Sequence, residues 1–112
     1  MWRSMRLAIA LCTLVACSDS AVDEVKLGDE TFANVCARCH GQDGKGGVPA
    51  TNDVRPRDLT EPAWQSSLGD GQIEALILIG KPPMPAFAGA LSSERIQSVV
   101  SKVRRLGKKA GQ

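Results

Sequence analysis

The clearest hydrophobic pattern in the chain lies near its end. Apolar residues recur there every three or four positions: Ile96, Val99, Val100, Val103 and Leu106. This period is that of an amphipathic α-helix with one buried face. Ser92 can cap the start of such a helix, and Glu94 suits the positive end of the helix dipole. We therefore predict a long final helix from Ser92 that frays between Lys108 and Gln112.

A second helical pattern precedes the middle of the chain. Four side chains follow the i, i+3, i+4, i+7 spacing of one helix face: Phe32, Val35, Cys36 and Cys39. The pattern predicts a helix from about Val25 to Cys39. Gly28 lies inside it, although glycine costs a helix about 1 kcal/mol relative to alanine. We interpret Gly28 as a point where another backbone passes close to the helix.

Two shorter helices are predicted between these. Thr60 can cap a helix that begins at Glu61-Pro62 and ends near Leu68, because proline is tolerated in the first turn. Asp70 can cap the next helix, which Gly80 and the following prolines end. Three residues of that helix are expected on one apolar face: Ile73, Leu76 and Ile77. Residues 48–59 show no period and are predicted to be loop. The expected fold class is all-α.

The first sixteen residues have the pattern of an export signal. Arg3 and Arg6 precede an apolar run, Leu7–Ala16, that is shorter than the roughly 20 residues needed to span a bilayer. Leu14 to Cys17 resembles a bacterial lipobox, so we expect cleavage before Cys17 and acylation of this cysteine. The alternative is ordinary signal cleavage, with a mature start at Ala21.

This interpretation divides the chain into four parts. Residues 1–16 are the signal peptide, and residues 17–25 are a lipidated start and polar linker. Residues 26–108 form the domain, and residues 109–112 form a disordered tail. Cleavage removes Arg3 and Arg6, so the 14 Lys and Arg residues of the whole chain fall to match its 12 Asp and Glu residues. This balance of charges gives no indication of nucleic-acid binding. The acidic start and basic end are interpreted as solvated helix faces, or alternatively as contacts with an acidic partner or anionic lipid.

Cys36-Ala37-Arg38-Cys39-His40 carries the strongest chemical signal. Two thiols three residues apart on a helix face one way, and each can form a thioether with a haem vinyl group. His40 follows directly and can ligate the iron. A redox disulfide between Cys36 and Cys39 is the alternative, but it is typical of a strand–helix–strand unit that the pattern lacks. Zinc would need two more ligands than the mature chain offers.

The glycine-rich stretch after His40 has two interpretations. Residues 41–47 could suggest a phosphate-binding loop, but the preceding strand and the Gly-Lys-Ser/Thr ending are missing. We therefore expect its glycines to let the backbone pass close to a flat cofactor.

A second axial ligand follows by elimination. His40 is the only histidine, and Met84 is the only methionine outside the signal peptide. Met84 lies between prolines, which restrict the loop and lower the entropy lost when it is ordered. We predict that Met84 coordinates iron opposite His40. Lys81 is the rival ligand, and the simpler interpretation of Met84 is that it fills a gap in the core.

These motifs occur in the order found in one family, and the chain resembles the small class I cytochromes c over about residues 25–107. The shared features are the haem motif at Cys36 to His40, Gly28 with Phe32, Arg57-Asp58-Leu59-Thr60 with Trp64, and the segment from Gly80 to Phe87. The resemblance implies about four helices around one covalently attached haem, with the first and last helices crossing.

The resemblance also implies roles for individual residues. Gly28 and Phe32 would meet Val99, Val103 and Leu106 where the helices cross, and Lys102 replaces an aromatic there, which predicts a looser crossing. The carbonyl of Pro49 would accept a hydrogen bond from His40. Trp64 would pack beside a haem propionate, with Arg55 or Arg57 compensating its charge.

The expected function is electron transfer without a catalytic site. We expect a monomer with haem c on the periplasmic side of a bacterial membrane, held there by its lipid, exchanging electrons with a membrane oxidoreductase or terminal oxidase. A soluble periplasmic carrier is the alternative location. The alternative functions are a haem enzyme or gas-binding protein with a labile Met84, and a tethered haem subunit of a dehydrogenase or oxidase.

Overall fold

The computed structural model describes residues 19–47 and 54–110 of the 112-residue chain. The predicted signal peptide, Cys17 and Pro49 lie outside these ranges. The described residues form helices with irregular connections, and no strand occurs among them. None of their helices is long and apolar enough to cross a membrane. The predicted all-α class is confirmed.

The first helix is longer than predicted and changes its pitch. α1 spans Asp19–Thr31, a π-helical turn follows at Phe32–Cys36, and α2 spans Ala37–His40 without a break. The expected start near Val25 is wrong, because the polar residues before it are helical rather than an extended linker. Asp19 suits the helix dipole, and Glu24 accepts a hydrogen bond from Ser101 Oγ at 3.1 Å. A polar contact therefore connects the first turns to the rest of the protein, and it leaves no apolar period in the sequence.

The middle helices have the predicted order but different caps. α3 spans Pro62–Ser67 with Glu61 at its N-cap, and α4 spans Asp70–Ile79 with Gly69 at its N-cap. The side chains proposed as caps act elsewhere. Thr60 donates from its N–H and Oγ1 to Asp58 Oδ1, at 2.8 and 2.6 Å, and these bonds lower the pKa of the Asp58 carboxyl. Asp70 instead accepts from Arg104 Nε at 2.7 Å.

The final helix, α5, spans Ser93–Ala110, so it continues two residues beyond the predicted fraying point at Lys108. All five residues of the predicted stripe are buried: Ile96, Val99, Val100, Val103 and Leu106. They form one core cluster with Phe32, Ala37, Leu59, Ile73 and Ile77. α5 is therefore the element on which the other helices pack.

α1 crosses α5 closely, and the predicted loosening at Lys102 is wrong. A Cβ built on Gly28 would lie 2.3 Å from the Ser98 carbonyl oxygen, and Phe32 is only 1 % exposed. Lys102 occupies the place of an aromatic by lying over the Phe32 ring, with Nζ 5.9 Å from its centroid. The Lys102 ammonium is also 2.9 Å from Asp29 Oδ1, so its charge is paired at the crossing.

Candidate haem-attachment site

Cys36 and Cys39 lie one helical turn apart where the long first helix ends. Cys36 closes the π-helical turn and is half-buried, whereas Cys39 is exposed in α2. Both are free thiols, so the structure does not contain the alternative disulfide between them. Burial, and secondarily the nearby Cys39, raises the pKa of Cys36 to about 11. Cys36 is therefore a protonated thiol at neutral pH, packed against the core.

His40 ends the helix, and its ring is oriented by a backbone carbonyl. His40 Nδ1 lies 3.0 Å from the carbonyl oxygen of Arg57. A carbonyl can only accept, so Nδ1 carries the hydrogen and the lone pair of the neutral ring is on Nε2. No described residue forms a hydrogen bond with Nε2. The imidazole is thus in the tautomer that a metal ligand needs.

The carbonyl that contacts His40 is that of Arg57, where the sequence analysis assigned Pro49. Pro49 lies outside the described residues, so its own position is not tested. Arg57 reaches His40 because the segment after residue 53 folds back on the glycine-rich loop, with Leu59 N–H donating to the Gly44 carbonyl at 2.8 Å. Residue type does not mark a backbone acceptor, so sequence reasoning had no signal for Arg57 in this role.

Two glycines of the loop, Gly44 and Gly46, approach other parts of the chain closely. Gly44 and Gly46 are buried and have φ angles of 76° and 69°. A Cβ on Gly44 would lie 2.7 Å from Leu106, and one on Gly46 would lie 2.3 Å from the Pro56 carbonyl oxygen. At these two positions the backbone passes close to the chain itself, and the passage close to a flat cofactor stays a prediction.

Met84 is half-buried in a tight turn directly after α4. Lys81 and Met84 exchange two backbone hydrogen bonds, of 3.1 and 2.8 Å, across a cis Pro82-Pro83 peptide. Phe87 N–H donates to the Ile77 carbonyl at 3.0 Å, which returns the loop to α4. Met84 and Phe87 both pack against the core, whereas Lys81 is exposed.

Trp64 packs against the core, whereas Arg55 and Arg57 are exposed. Trp64, in α3, is half-buried against the core. Arg55 is exposed, and Arg57 Nη2 lies 2.7 Å from Glu61 Oε2 in an exposed ion pair. The Arg57 charge is therefore already paired. The roles of Trp64, Arg55 and Arg57 beside a propionate stay predictions.

One apolar surface near Met84 differs from the sequence expectation. Ile73 and Ile77 are buried, 3 % and 6 % exposed, but Leu76 is 36 % exposed and does not share their environment. It belongs instead to an open groove of about 320 Å³ on the outer side of α4. The residues lining that groove are Leu68, Gln72, Ala75, Leu76, Ile79 and Gly80. Ile79 is 75 % exposed there, which is unusual for a large apolar side chain.

The residues present fit a covalently attached haem. They comprise two free thiols one turn apart, an imidazole with its Nε2 lone pair available, and a thioether in a constrained loop. This donor set matches the chemistry of c-type haem attachment and ligation. The described residues contain no cluster of three or more His, Cys, Asp or Glu side chains able to hold a metal ion.

Comparisons with known proteins define the class. Residues 23–101 match the family model described as cytochrome c oxidase, cbb3-type, subunit III. The structure is similar to the solved KustC0563 c-type cytochrome, with a TM-score of 0.61 and 28% identity, over 70% of this chain and 95% of that one. The chain therefore belongs to the cytochrome c family, as a class I protein with one haem. Its cofactor is haem c and its function is electron transfer.

The similar proteins fall into two groups, the cytochromes c6 and subunits of cbb3-type oxidases. Cytochrome c6 of Thermosynechococcus vestitus is 34% identical over 86% of this chain and 83% of its own length. Chloroplastic cytochrome c6 of Chlamydomonas reinhardtii is 38% identical over 86% and 63%. The cbb3-type cytochrome c oxidase subunit CcoP of Rhodobacter capsulatus is 33% identical over 80% of this chain but 32% of its own length. The similarity to the c6 proteins thus extends over more of the relative's chain.

Proposed function

We propose that this protein carries single electrons on a haem attached through Cys36 and Cys39, with His40 and Met84 as axial ligands. The observation that carries the proposal is the hydrogen bond from His40 Nδ1 to Arg57, which leaves the Nε2 lone pair for iron. Met84 is the one soft donor left to the mature chain, and its turn is fixed at both ends by backbone hydrogen bonds.

In this arrangement the haem, the two cysteines and Arg57 have separate roles. The haem would supply a reversible one-electron couple, and ligation by a thioether and an imidazole would favour its reduced form. Cys36 and Cys39 hold the group on the helix, and Arg57 holds the His40 ring in one orientation. With both axial positions filled by protein, no site is left for a substrate. The protein needs no catalytic acid, base or nucleophile of its own.

The ligand set is tested by spectroscopy of the purified wild-type protein. We expect a weak sulfur-to-iron band in the near-infrared spectrum of the ferric form and no uptake of carbon monoxide by the ferrous form. Met84→Ala should abolish the band and admit carbon monoxide, whereas Lys81→Ala, at the exposed neighbour, should change neither. Fast carbon monoxide binding by the wild type, without the band, would support the haem enzyme or gas-binding alternative instead.

We also propose that the mature protein begins at an acylated Cys17 and works at the periplasmic surface of a membrane. The pattern of residues 1–17 supports this location. Intact mass of the protein extracted from membranes distinguishes the possibilities. A start at Cys17 with added acyl mass is expected, and a start at Ala21 without it would indicate a soluble periplasmic carrier.

The second candidate is a haem subunit tethered to a larger oxidase. The match to the cbb3-type subunit III model and the similarity to CcoP favour it. A free carrier should separate from membrane oxidoreductases at moderate salt, because its contact with redox partners is small and transient. Stoichiometric co-purification with an oxidase after detergent extraction would favour the subunit.

A further inference from the structure

The glycine-rich loop and the segment before α3 lie side by side, and both contact His40. Gly46 N–H donates to the His40 carbonyl at 2.8 Å, and Leu59 N–H donates to the Gly44 carbonyl at the same distance. His40 Nδ1 then meets the Arg57 carbonyl at 3.0 Å. Three hydrogen bonds therefore connect the ligand residue, the loop and the Arg57 segment.

Gly46 lies at a close approach of the two backbones. Its φ of 69° belongs to the left-handed region, and it is buried. A Cβ at this position would lie 2.3 Å from the Pro56 carbonyl oxygen, 3.1 Å from the Pro56 carbonyl carbon and 3.3 Å from the Arg57 carbonyl oxygen. All three are backbone atoms, so a side chain at residue 46 requires the loop and the segment that carries the Arg57 carbonyl to move apart.

We propose that Gly46 is a positioning residue for the iron ligand: because it has no side chain, the Arg57 carbonyl reaches the His40 Nδ1 hydrogen. That hydrogen bond makes the imidazole a stronger donor at Nε2. A stronger donor stabilises ferric iron, so Gly46 sets the reduction potential without touching the cofactor. The inference rests on the proposed ligation by His40 and adds the residue that tunes it.

The test is Gly46→Ala in the haem-loaded protein. The added methyl displaces the Arg57 carbonyl, weakens the bond to Nδ1 and makes the imidazole a poorer donor. We expect the reduction potential to rise relative to the wild type. The NMR signal of the His40 Nδ1 hydrogen should move and exchange faster with solvent. The near-infrared band should remain, because the loop that carries Met84 is not altered.

Two glycines provide matched controls. Gly89 has a φ of 76°, yet a Cβ there meets nothing within 4 Å, so Gly89→Ala introduces the same backbone penalty without the steric one. Gly47 is the next residue of the loop, and a Cβ there also meets nothing within 4 Å. Both controls should keep the wild-type potential and the wild-type Nδ1 hydrogen signal.

A second variant covers the case in which alanine at position 46 prevents folding. Asparagine tolerates a positive φ better than alanine, so Gly46→Asn retains the added Cβ at a smaller conformational cost. It should raise the potential in the same direction. An unchanged or lowered potential in both variants would overturn the proposal, as would an equal rise in Gly89→Ala. Failure of both variants to hold haem, with both controls intact, would overturn it too, since Gly46 would then serve folding alone.

The result for Gly46 can be distinguished from a failure of the proposed function. The sixth ligand and carbon monoxide uptake are measured on the wild type, whereas the role of Gly46 is measured as a difference between variants with the same sixth ligand. Loss of the Met84 assignment would therefore leave the comparison of potentials valid.

Discussion

The two proposed iron ligands come from regions that are held in different ways. His40 ends a helix whose fixing contacts join residues far apart in the chain: Gly28 against Ser98, Lys102 against Asp29, and Glu24 against Ser101. Met84 lies in a turn whose hydrogen bonds run to its own neighbourhood, at Lys81 and through Phe87 to Ile77. One ligand thus depends on the whole fold and the other on a short local arrangement.

This difference predicts which substitutions affect both ligands and which affect only one. Substitutions that disturb the long-range contacts should lower the free energy of unfolding and affect both ligands together. Substitutions in the Met84 turn should change the sixth ligand while most of the fold remains stable, because local segments can open without global unfolding.

The largest effect is expected from Gly28→Ala at the crossing of α1 and α5. The added methyl would lie 2.3 Å from the Ser98 carbonyl oxygen, a backbone atom that cannot move alone. Overpacking commonly costs 1–3 kcal/mol, and a backbone obstacle should bring the loss of unfolding free energy to about 3 kcal/mol or more. Denaturant titration measures it. Gly71→Ala is the control in α4, where a Cβ meets nothing within 4 Å, and it should leave stability unchanged or raise it by up to about 1 kcal/mol.

Gln65→Ala should have the next largest effect, again on the side of His40. Gln65 Nε2 donates to the Leu59 carbonyl at 2.7 Å and to the Val103 carbonyl at 2.8 Å, so it connects the segment next to Arg57 with α5. Two acceptors lose their donor in the variant, which should cost about 2 kcal/mol in chemical denaturation. Ser66→Ala removes only the exposed contacts of its hydroxyl with the Pro62 and Ala63 carbonyls, within α3, and should be close to neutral. Equal losses in both variants would contradict a long-range role for Gln65.

Gly80→Ala tests the local arrangement that holds Met84. Gly80 has a φ of 75°, and a Cβ there would lie 2.7–2.8 Å from backbone atoms of Met84, Pro85 and Ala86. The near-infrared band should weaken or vanish, with a loss of only about 1–2 kcal/mol in unfolding free energy. Gly89→Ala has the same φ without the contacts and should keep the band. If Gly80→Ala instead unfolded the protein as Gly28→Ala does, the Met84 turn would not be a local arrangement.

The smallest effect is a pH dependence at Asp29. Its hydrogen bond from Lys102 lowers the pKa of the Asp29 carboxyl, partial burial opposes this, and Arg105 lowers the pKa further. The folded pKa thus lies below the unfolded one, so this contribution is present above the unfolded pKa and is lost as the pH falls through the folded value. Asp29→Asn should cost at most about 1 kcal/mol at pH 7, and the difference from the wild type should shrink below about pH 4.

The control for Asp29 is a carboxylate on the same helix with a weaker contact. Glu30 is 3.9 Å from Lys26, and both side chains are more than half exposed. Glu30→Gln should therefore change the thermal midpoint less than Asp29→Asn does at pH 7. A pH-independent loss in Asp29→Asn would show that its ion pairs do not produce the effect.

The sequence predicted the parts of this protein whose signal is local. The stripe of α5 is buried along its whole predicted length because every member faces the same neighbours. The thiols and the imidazole lie where their spacing on a helix places them. The start of α1 was missed because its turns are held by polar contacts such as Glu24 with Ser101, which produce no apolar period.

Contacts between backbones could not be predicted in the same way. The carbonyl facing His40 is chosen by how two loops fold together, and any residue carries a carbonyl, so nothing in the sequence singled out Arg57. Leu76 was grouped with Ile73 and Ile77 because periodicity locates a face only to within part of a turn. The caps at Thr60 and Asp70 were wrong because their side chains have other partners, Asp58 and Arg104.

The π-helical turn at Phe32–Cys36 makes the pitch of the helix, more than residue type, critical to the site. Its last hydrogen bond runs from the Ala37 N–H to the Phe32 carbonyl, one residue further than in an α-helix. Each residue of an α-helix advances by about 100°, and a turn that holds one extra residue advances by less per residue. Substitutions at exposed Ala33 or Asn34 that converted these five residues into a regular α-helix would count as an improvement by any local measure of helicity. Such a helix would swing both thiols and the imidazole about a quarter of a turn around the axis, while Gly28 stayed against α5.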